Sequence, residues 1–363
     1  MKVRVRAAGA ATGRIQTAGP NEAAKGGSLC RFPKSLWNFW KDGCTQSFWK
    51  SFNSCREQTR LKFVEGWTRR SGSLALEFGS CIHWCFSQLY KGPLPCEKDI
   101  LQTLKKYDEV WRAENRITTK KSDEIMDKVY GLAEAVLPTY IQRWAGDWTG
   151  KYPLGNPSVR PAKWAHLEGR FKVPYTFEDG LVSYVQGAID GVFDDSKEQL
   201  WQFESKTKSV IDEDEIMDTL PLDTQCLLYL WALKQLTGRM PRGVLYNVVR
   251  RPGLRLSAKE SINDFFGRCK DDVQNPKRLD HYFIRYEMKI EPSELDHWEK
   301  TYLGPMMRTV RAWWEGTGEH WMEPAALSTK YGRADMYEAI VHNNFTPYRK
   351  RKVAFNELGE FMQ

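Results

Sequence analysis

No run of apolar residues in the sequence approaches the ~18–20 that a membrane-spanning helix needs; the longest, such as Cys226 to Leu233, breaks off after a few residues. No CxxC pair occurs among the eight cysteines (Cys30, Cys44, Cys55, Cys81, Cys85, Cys96, Cys226 and Cys269). That argues against a zinc ribbon and against a CxxC-based iron–sulfur site. Cys81-Ile-His-Trp-Cys85 gathers soft ligands, but on a helix positions 81 and 85 share a face that His83 does not, which argues against zinc there. The N-terminus lacks the apolar stretch of a secretory signal, so a reducing cytoplasm with free thiols is expected. No internal repeat is visible.

What is present is ordinary in bulk. The chain has 363 residues, 41% hydrophobic and 28% charged, close to globular averages, which excludes wholesale disorder. The length suits one elaborated domain or two ordinary ones. A formal net charge of +8 suits a polyanionic partner such as nucleic acid, and no membrane. Tryptophan is frequent at 15 residues; such rings fill cores or stack on bases.

Four segments are expected. Residues 1–28, rich in Ala, Gly and Arg with Glu22 as the only acid, read as a disordered arm. Residues 29–160 read as a helical region. Within it Leu74 to Tyr90 forms one buried helix closed by Gly92 and Pro93, and 97–145 forms one or two amphipathic helices. Residues 146–161 read as a loop. Residues 161–255 hold strands over 165–174, 181–193 and 199–207, a helix over 221–236 with Pro221 in its first turn and Gly238 past its end, and a strand over 243–250. Residues 256–363 read as helical, near 259–274 and 291–316, with a basic tail that includes Arg349 to Lys352. The class is α/β (α+β), with a few strands flanked by helices.

The chemistry concentrates in Gly187-Ala-Ile-Asp190 and Trp201-Gln-Phe-Glu204-Ser-Lys206-Thr207. Strand alternation places Gln202, Glu204 and Lys206 on one face. Turns centred near Asp179 and Lys197 set Glu168 opposite Asp190 and Asp190 opposite Glu204. Directly opposed residues bring their Cβ atoms to about 4.5–5.5 Å. Carboxylates that close repel unless a cation neutralises them, and oxygen ligands favour Mg²⁺ or Mn²⁺. Such a cation polarises a phosphodiester oxygen and acidifies a bound water, while Lys206 orients or deprotonates that water, or offsets transition-state charge.

Four motifs occur in order: Gly79-Ser-Cys-Ile-His83, Gly187-Ala-Ile-Asp190, Glu204-Ser-Lys206-Thr207 and Gln225-Cys-Leu-Leu-Tyr229. Together they resemble the PD-(D/E)XK nuclease superfamily, in its RecB-like, Cas4-like and phage-exonuclease branch, over roughly residues 70–250. The resemblance implies a restriction-endonuclease-like αβββαβ core with a mixed central sheet, and a metal-dependent deoxyribonuclease. It implies catalytic Asp190, Glu204 and Lys206; a metal held by His83, Asp190, Glu204 and Glu168; and Gln225, Tyr229, Thr207 and Gln202 touching DNA or supporting the site.

An exonuclease of recombination, repair or phage DNA processing is the leading expectation, in a bacterial or phage-infected cell. The expected partners are DNA and a recombination or single-strand annealing protein. A nuclease fold reduced to DNA binding or assembly, and a structure-specific endonuclease, stay open. Ser205 stands where the family has an apolar residue. Late cysteines of the kind that hold the iron–sulfur cluster of Cas4-like relatives are missing, so no cluster is expected. A helicase P-loop is also missing.

Overall fold

The computed structural model describes residues 31–70, 72–114, 120–152, 159–329, 332–333 and 335–355. The expected arm at 1–28 and part of the 146–161 loop lie outside them. In chain order the elements that build the site are helices α1 (Leu74–Leu89), α2 (Glu97–Glu114) and α3 (Lys120–Arg143); strands β1 (Lys163–Thr176), β2 (Val182–Asp194) and β3 (Leu200–Lys208); helix α4 (Thr224–Thr237); strand β4 (Gly243–Arg250); helix α5 (Ile262–Gln274); strand β5 (Phe283–Lys289); and helix α6 (Gly304–Glu315).

The five strands lie in the order β1-β2-β3-β4-β5. Only β3 and β4 run parallel; the other neighbours are antiparallel. Helices cover both faces, so the expected α/β class with a mixed, helix-flanked sheet is what the chain forms. The tight hairpins fix β1 to β3 as a meander. The parallel step from β3 to β4 needs a crossover, and α4 supplies it.

Local sequence explains each helix that matters. Ser73 caps α1 by accepting the Leu76 N–H at 3.3 Å. Phe78, Cys81, Ile82, Cys85, Phe86 and Leu89 then recur at helical spacing and are all buried. They join α2, α3 and α5 in one core. Asp223 caps α4 through the Cys226 N–H at 2.9 Å, and Gly238 ends it in the left-handed conformation. Losing either cap costs about 1 kcal/mol. Cys226 through Leu233 are buried on every side, because α4 lies between the sheet and further buried side chains that include Met307, Val310 and Trp313 of α6.

Strand β5 falls in the stretch expected to be helical. Its sequence, Phe-Ile-Arg-Tyr-Glu-Met-Lys, alternates poorly, and its buried Arg285 breaks the apolar pattern that marks a strand. The sheet therefore extends beyond the 161–255 segment. The basic tail also folds back: Tyr348–Lys350 pairs antiparallel with Trp67–Arg69, and the Lys350 ammonium sits 4.9 Å from the centre of the Trp67 ring.

Candidate active site

The site is assembled where α1 meets the open end of the β1–β2–β3 meander. Gly79 lets the helix approach: a Cβ there would lie 3.0 Å from Thr207 Oγ1 on β3. One turn further along the same helical face is His83. On the sheet side, Leu167 pairs with Gly191 and Gly169 with Ile189, which sets Glu168 against Asp190 in the expected register. Glu168 itself has φ +51°, a left-handed backbone unusual for a residue with a side chain and worth about 1–3 kcal/mol of strain. Such strain persists where the surroundings impose it, and here it accompanies an approach of Glu168 Oε1 to within 3.7 Å of His83 Nδ1.

Three of the expected ligands converge. His83 Nδ1 lies 3.3 Å from Asp190 Oδ1, and one ligand atom each from His83, Glu168 and Asp190 falls within 4.8 Å of the others. Burial works against a charged imidazole here, but the Asp190 and Glu168 carboxylates outweigh it and raise the His83 pKa well above its ordinary value. Burial likewise opposes ionisation of Asp190, yet His83, Lys206 and the Ser205 amide hold its carboxyl below the usual carboxylate range. Glu168 goes the other way, raised chiefly by burial.

Glu204, the fourth expected ligand, stands outside this group. The β2–β3 ladder runs to Gly191–Phe203 and stops one pair short of Asp190–Glu204. Instead, Asp190 Oδ2 accepts the Ser205 N–H at 2.7 Å. Glu204 is fully buried and satisfied by three donors: Lys206 Nζ, Gln225 Nε2 at 2.8 Å and Gln202 Nε2 at 3.1 Å. Lys206 also donates to Gln225 Oε1 at 2.9 Å. Burial alone would favour a neutral amine, but the Glu204 and Asp190 carboxylates prevail and raise the Lys206 pKa. That favours the ammonium form, which can orient a neighbouring group and neutralise charge.

The remaining expected residues lie around this centre. Gln225 bridges Lys206 and Glu204, and Gln202 closes the far side of the carboxylate. Tyr229 packs edge-on against Phe171, with ring centres 5.4 Å apart. Gly187 is required beneath these rings, since a Cβ there would come within 2.8 Å of Tyr229 and 2.9 Å of Phe171. Thr207 faces Gly79, as above. Sequence reading missed the Ser205 amide, because main-chain donors carry no residue signature. It also missed Asn247, although one amide within the apolar run Gly-Val-Leu-Tyr-Asn-Val-Val of a buried strand is a detectable signal.

One imidazole nitrogen and two carboxylates suit Mg²⁺ or Mn²⁺, with Mn²⁺ the more tolerant of nitrogen. A cation there must displace the His83 proton. Mn²⁺ affinity is accordingly expected to rise with pH through the raised His83 pKa, because protons compete below it and not above. Calorimetry in buffers of different ionisation enthalpy reads the released proton, which should vanish in His83→Ala.

The sequence model of the PD-(D/E)XK nuclease superfamily matches residues 44–316. No curated protein matches the chain. Among solved structures, one titled "Crystal structure of SSO0001" is similar at 12% identity over 60% of this chain and 70% of that one, with a TM-score of 0.23; a likeness at that level carries no further argument.

Proposed function

The chain belongs to the PD-(D/E)XK nuclease superfamily, and from that premise we propose that it hydrolyses DNA phosphodiester bonds with Mg²⁺ or Mn²⁺, as an exonuclease of recombination, repair or phage DNA processing. The observation that carries this reading is the convergence of His83, Glu168 and Asp190 beside a Lys206 held in place by Glu204 and Gln225. A fold that had only its shape to keep would have little reason to retain buried Glu204 with three donors, strained Glu168 and an imidazole between two carboxylates.

His83, Glu168 and Asp190 would hold the cation. When bound, it supplies Lewis-acid polarisation of a phosphodiester oxygen and a water more acidic than bulk. The protein's own groups do the rest. Lys206 presents its free N–H to the attacking water and to the oxygens that gain charge at phosphorus. Glu204 and Gln225 restrict that ammonium to one direction, which spares the reaction the entropy of ordering it. The Ser205 amide fixes one oxygen of Asp190 and leaves the other toward His83. His83 stands in a segment that resembles the upstream helix motif of the RecB-like branch, and that resemblance supports the exonuclease form. Exposed Arg349, Lys350 and Lys352 suit salt-dependent phosphate contacts.

The test is an assay on end-labelled linear and closed circular DNA, with and without Mn²⁺. Metal-dependent degradation of linear DNA with the circle intact is expected. Nicking of the circle would replace the exonuclease with an endonuclease of the same chemistry. Failure to cleave either substrate, together with no Mn²⁺ binding, would overturn the reading and leave a binding or assembly subunit.

A further inference from the structure

Behind the site, on the opposite side of β3 from Glu204 and Lys206, lies a polar cluster with no access to water. The side chains of Arg285 on β5 and Asp147, from the short helix Gly146–Thr149, are both fully buried. They form a two-point pair, Nη1 to Oδ1 at 2.9 Å and Nη2 to Oδ2 at 2.6 Å. Nη2 also donates to the hydroxyls of Tyr90 at 3.0 Å and Tyr140 at 3.1 Å. The guanidinium lies over Trp144, 4.1 Å from the ring centre. Its Nε donates to Asn247 Oδ1 at 3.0 Å, and Asn247 Nδ2 donates to Ser205 Oγ at 3.0 Å. Ser205 is the residue between Glu204 and Lys206, and its main-chain N–H reaches Asp190.

We propose that Arg285, Asp147 and Asn247 form a positioning device that acts through Ser205 to hold the residues of the reaction centre in register; the proposal rests on the nuclease reading above. The geometry makes the need plain. The β2–β3 ladder ends at Gly191–Phe203, so among the described residues the functional part of β3 has no ladder partner in β2. On the other side its parallel neighbour at Ser205 is Asn247. The Asn247 amide fixes the Ser205 side chain from behind, and the Ser205 N–H then meets Asp190 in front. A buried ion pair is a poor way to gain stability, since apolar residues of equal volume often serve as well. What the guanidinium gives is direction. Its planar fork, clamped by one carboxylate and stacked on one indole, aims Nε at Asn247 Oδ1, which also accepts from the Tyr140 hydroxyl at 3.2 Å. That fixes which face of the amide points to Ser205. It also accounts for a hydroxyl at position 205: only a polar side chain can take up the Asn247 donor.

Ser205→Ala is the discriminating variant, because Arg285→Met would leave the buried Asp147 carboxylate without its cation and risks loss of folding. Ser205→Ala should lower kcat about tenfold while the KM for DNA stays within about twofold, the pattern of lost transition-state alignment. Its Mn²⁺ dissociation constant, read by calorimetry without substrate, should rise about tenfold, as when the outer partner of a metal ligand is lost. Ser205→Thr keeps the hydroxyl and should restore both. Leu61→Ala, a cavity in the separate cluster that Leu61 forms with Met336, Ala339 and Tyr348, serves as a control that lowers melting temperature without moving either quantity. Wild-type kcat and Mn²⁺ affinity in Ser205→Ala, or no restoration in a folded Ser205→Thr, would overturn the proposal. A wild-type protein that neither cleaves DNA nor binds Mn²⁺ would instead remove the nuclease reading, and the proposal with it.

Discussion

Asp190→Asn is expected to lower the rate of DNA cleavage by about 10³-fold or more, since loss of an outer partner of a metal ligand alone costs about 10–100-fold. The substitution keeps the shape and still offers an oxygen to the Ser205 N–H. What it removes is the charge beside His83. Two consequences separate it from a folding defect. Mn²⁺ binding should fall below detection in calorimetry while circular dichroism and the melting transition stay near wild type. The His83 pKa should also drop, because Asp190 is the chief group that raises it; a two-dimensional imidazole NMR titration reads that directly. An Asp190→Asn protein that cleaves linear DNA at the wild-type rate would end the assignment of this centre, whatever the family of the chain.

The parts of this architecture that were readable in the sequence are those written in side-chain period and turn chemistry. The meander follows from alternation and from Glu178-Asp-Gly180. Helix α4, expected over 221–236, forms over Thr224–Thr237, with Pro221 in a short 3-10 turn ahead of it and Gly238 past its end as expected, and β4 is recovered with the same ends, Gly243–Arg250. The face shared by Gln202, Glu204 and Lys206, and the register of Glu168 against Asp190, follow from the same rules. What could not be read depends on departures from them. Glu168 adopts a backbone that alternation does not anticipate. The β2–β3 ladder parts before Asp190 meets Glu204, and the Glu204 carboxylate is taken up by Lys206, Gln225 and Gln202. Strand β5 is hidden by Arg285, a residue that reads as surface until Asp147, 138 positions away, is seen to neutralise it. Pairing across that separation leaves no local signal in a single sequence.

The second large effect concerns Lys206. Lys206→Met should lower kcat about 10²–10³-fold, the range found when one preorganised donor is removed from developing charge, while Mn²⁺ binding by His83, Glu168 and Asp190 persists. The variant also leaves Glu204 buried without its cation. Breaking a fully buried pair costs about 3–5 kcal/mol; Lys206 is 27% exposed and Glu204 not at all, so the loss of stability should be smaller than that. The double variant Glu204→Gln/Lys206→Met removes the stranded charge and should recover most of the melting temperature without recovering activity. Lys206→Arg keeps the charge but presents a planar fork to Glu204 and Gln225 in place of a point donor, and should retain only a fraction of the rate. Stability and catalysis then move independently at one position. If Lys206→Met instead abolishes Mn²⁺ binding, or if the double variant regains wild-type cleavage, the ammonium is structural and the alignment of water and phosphate must come from elsewhere in the site.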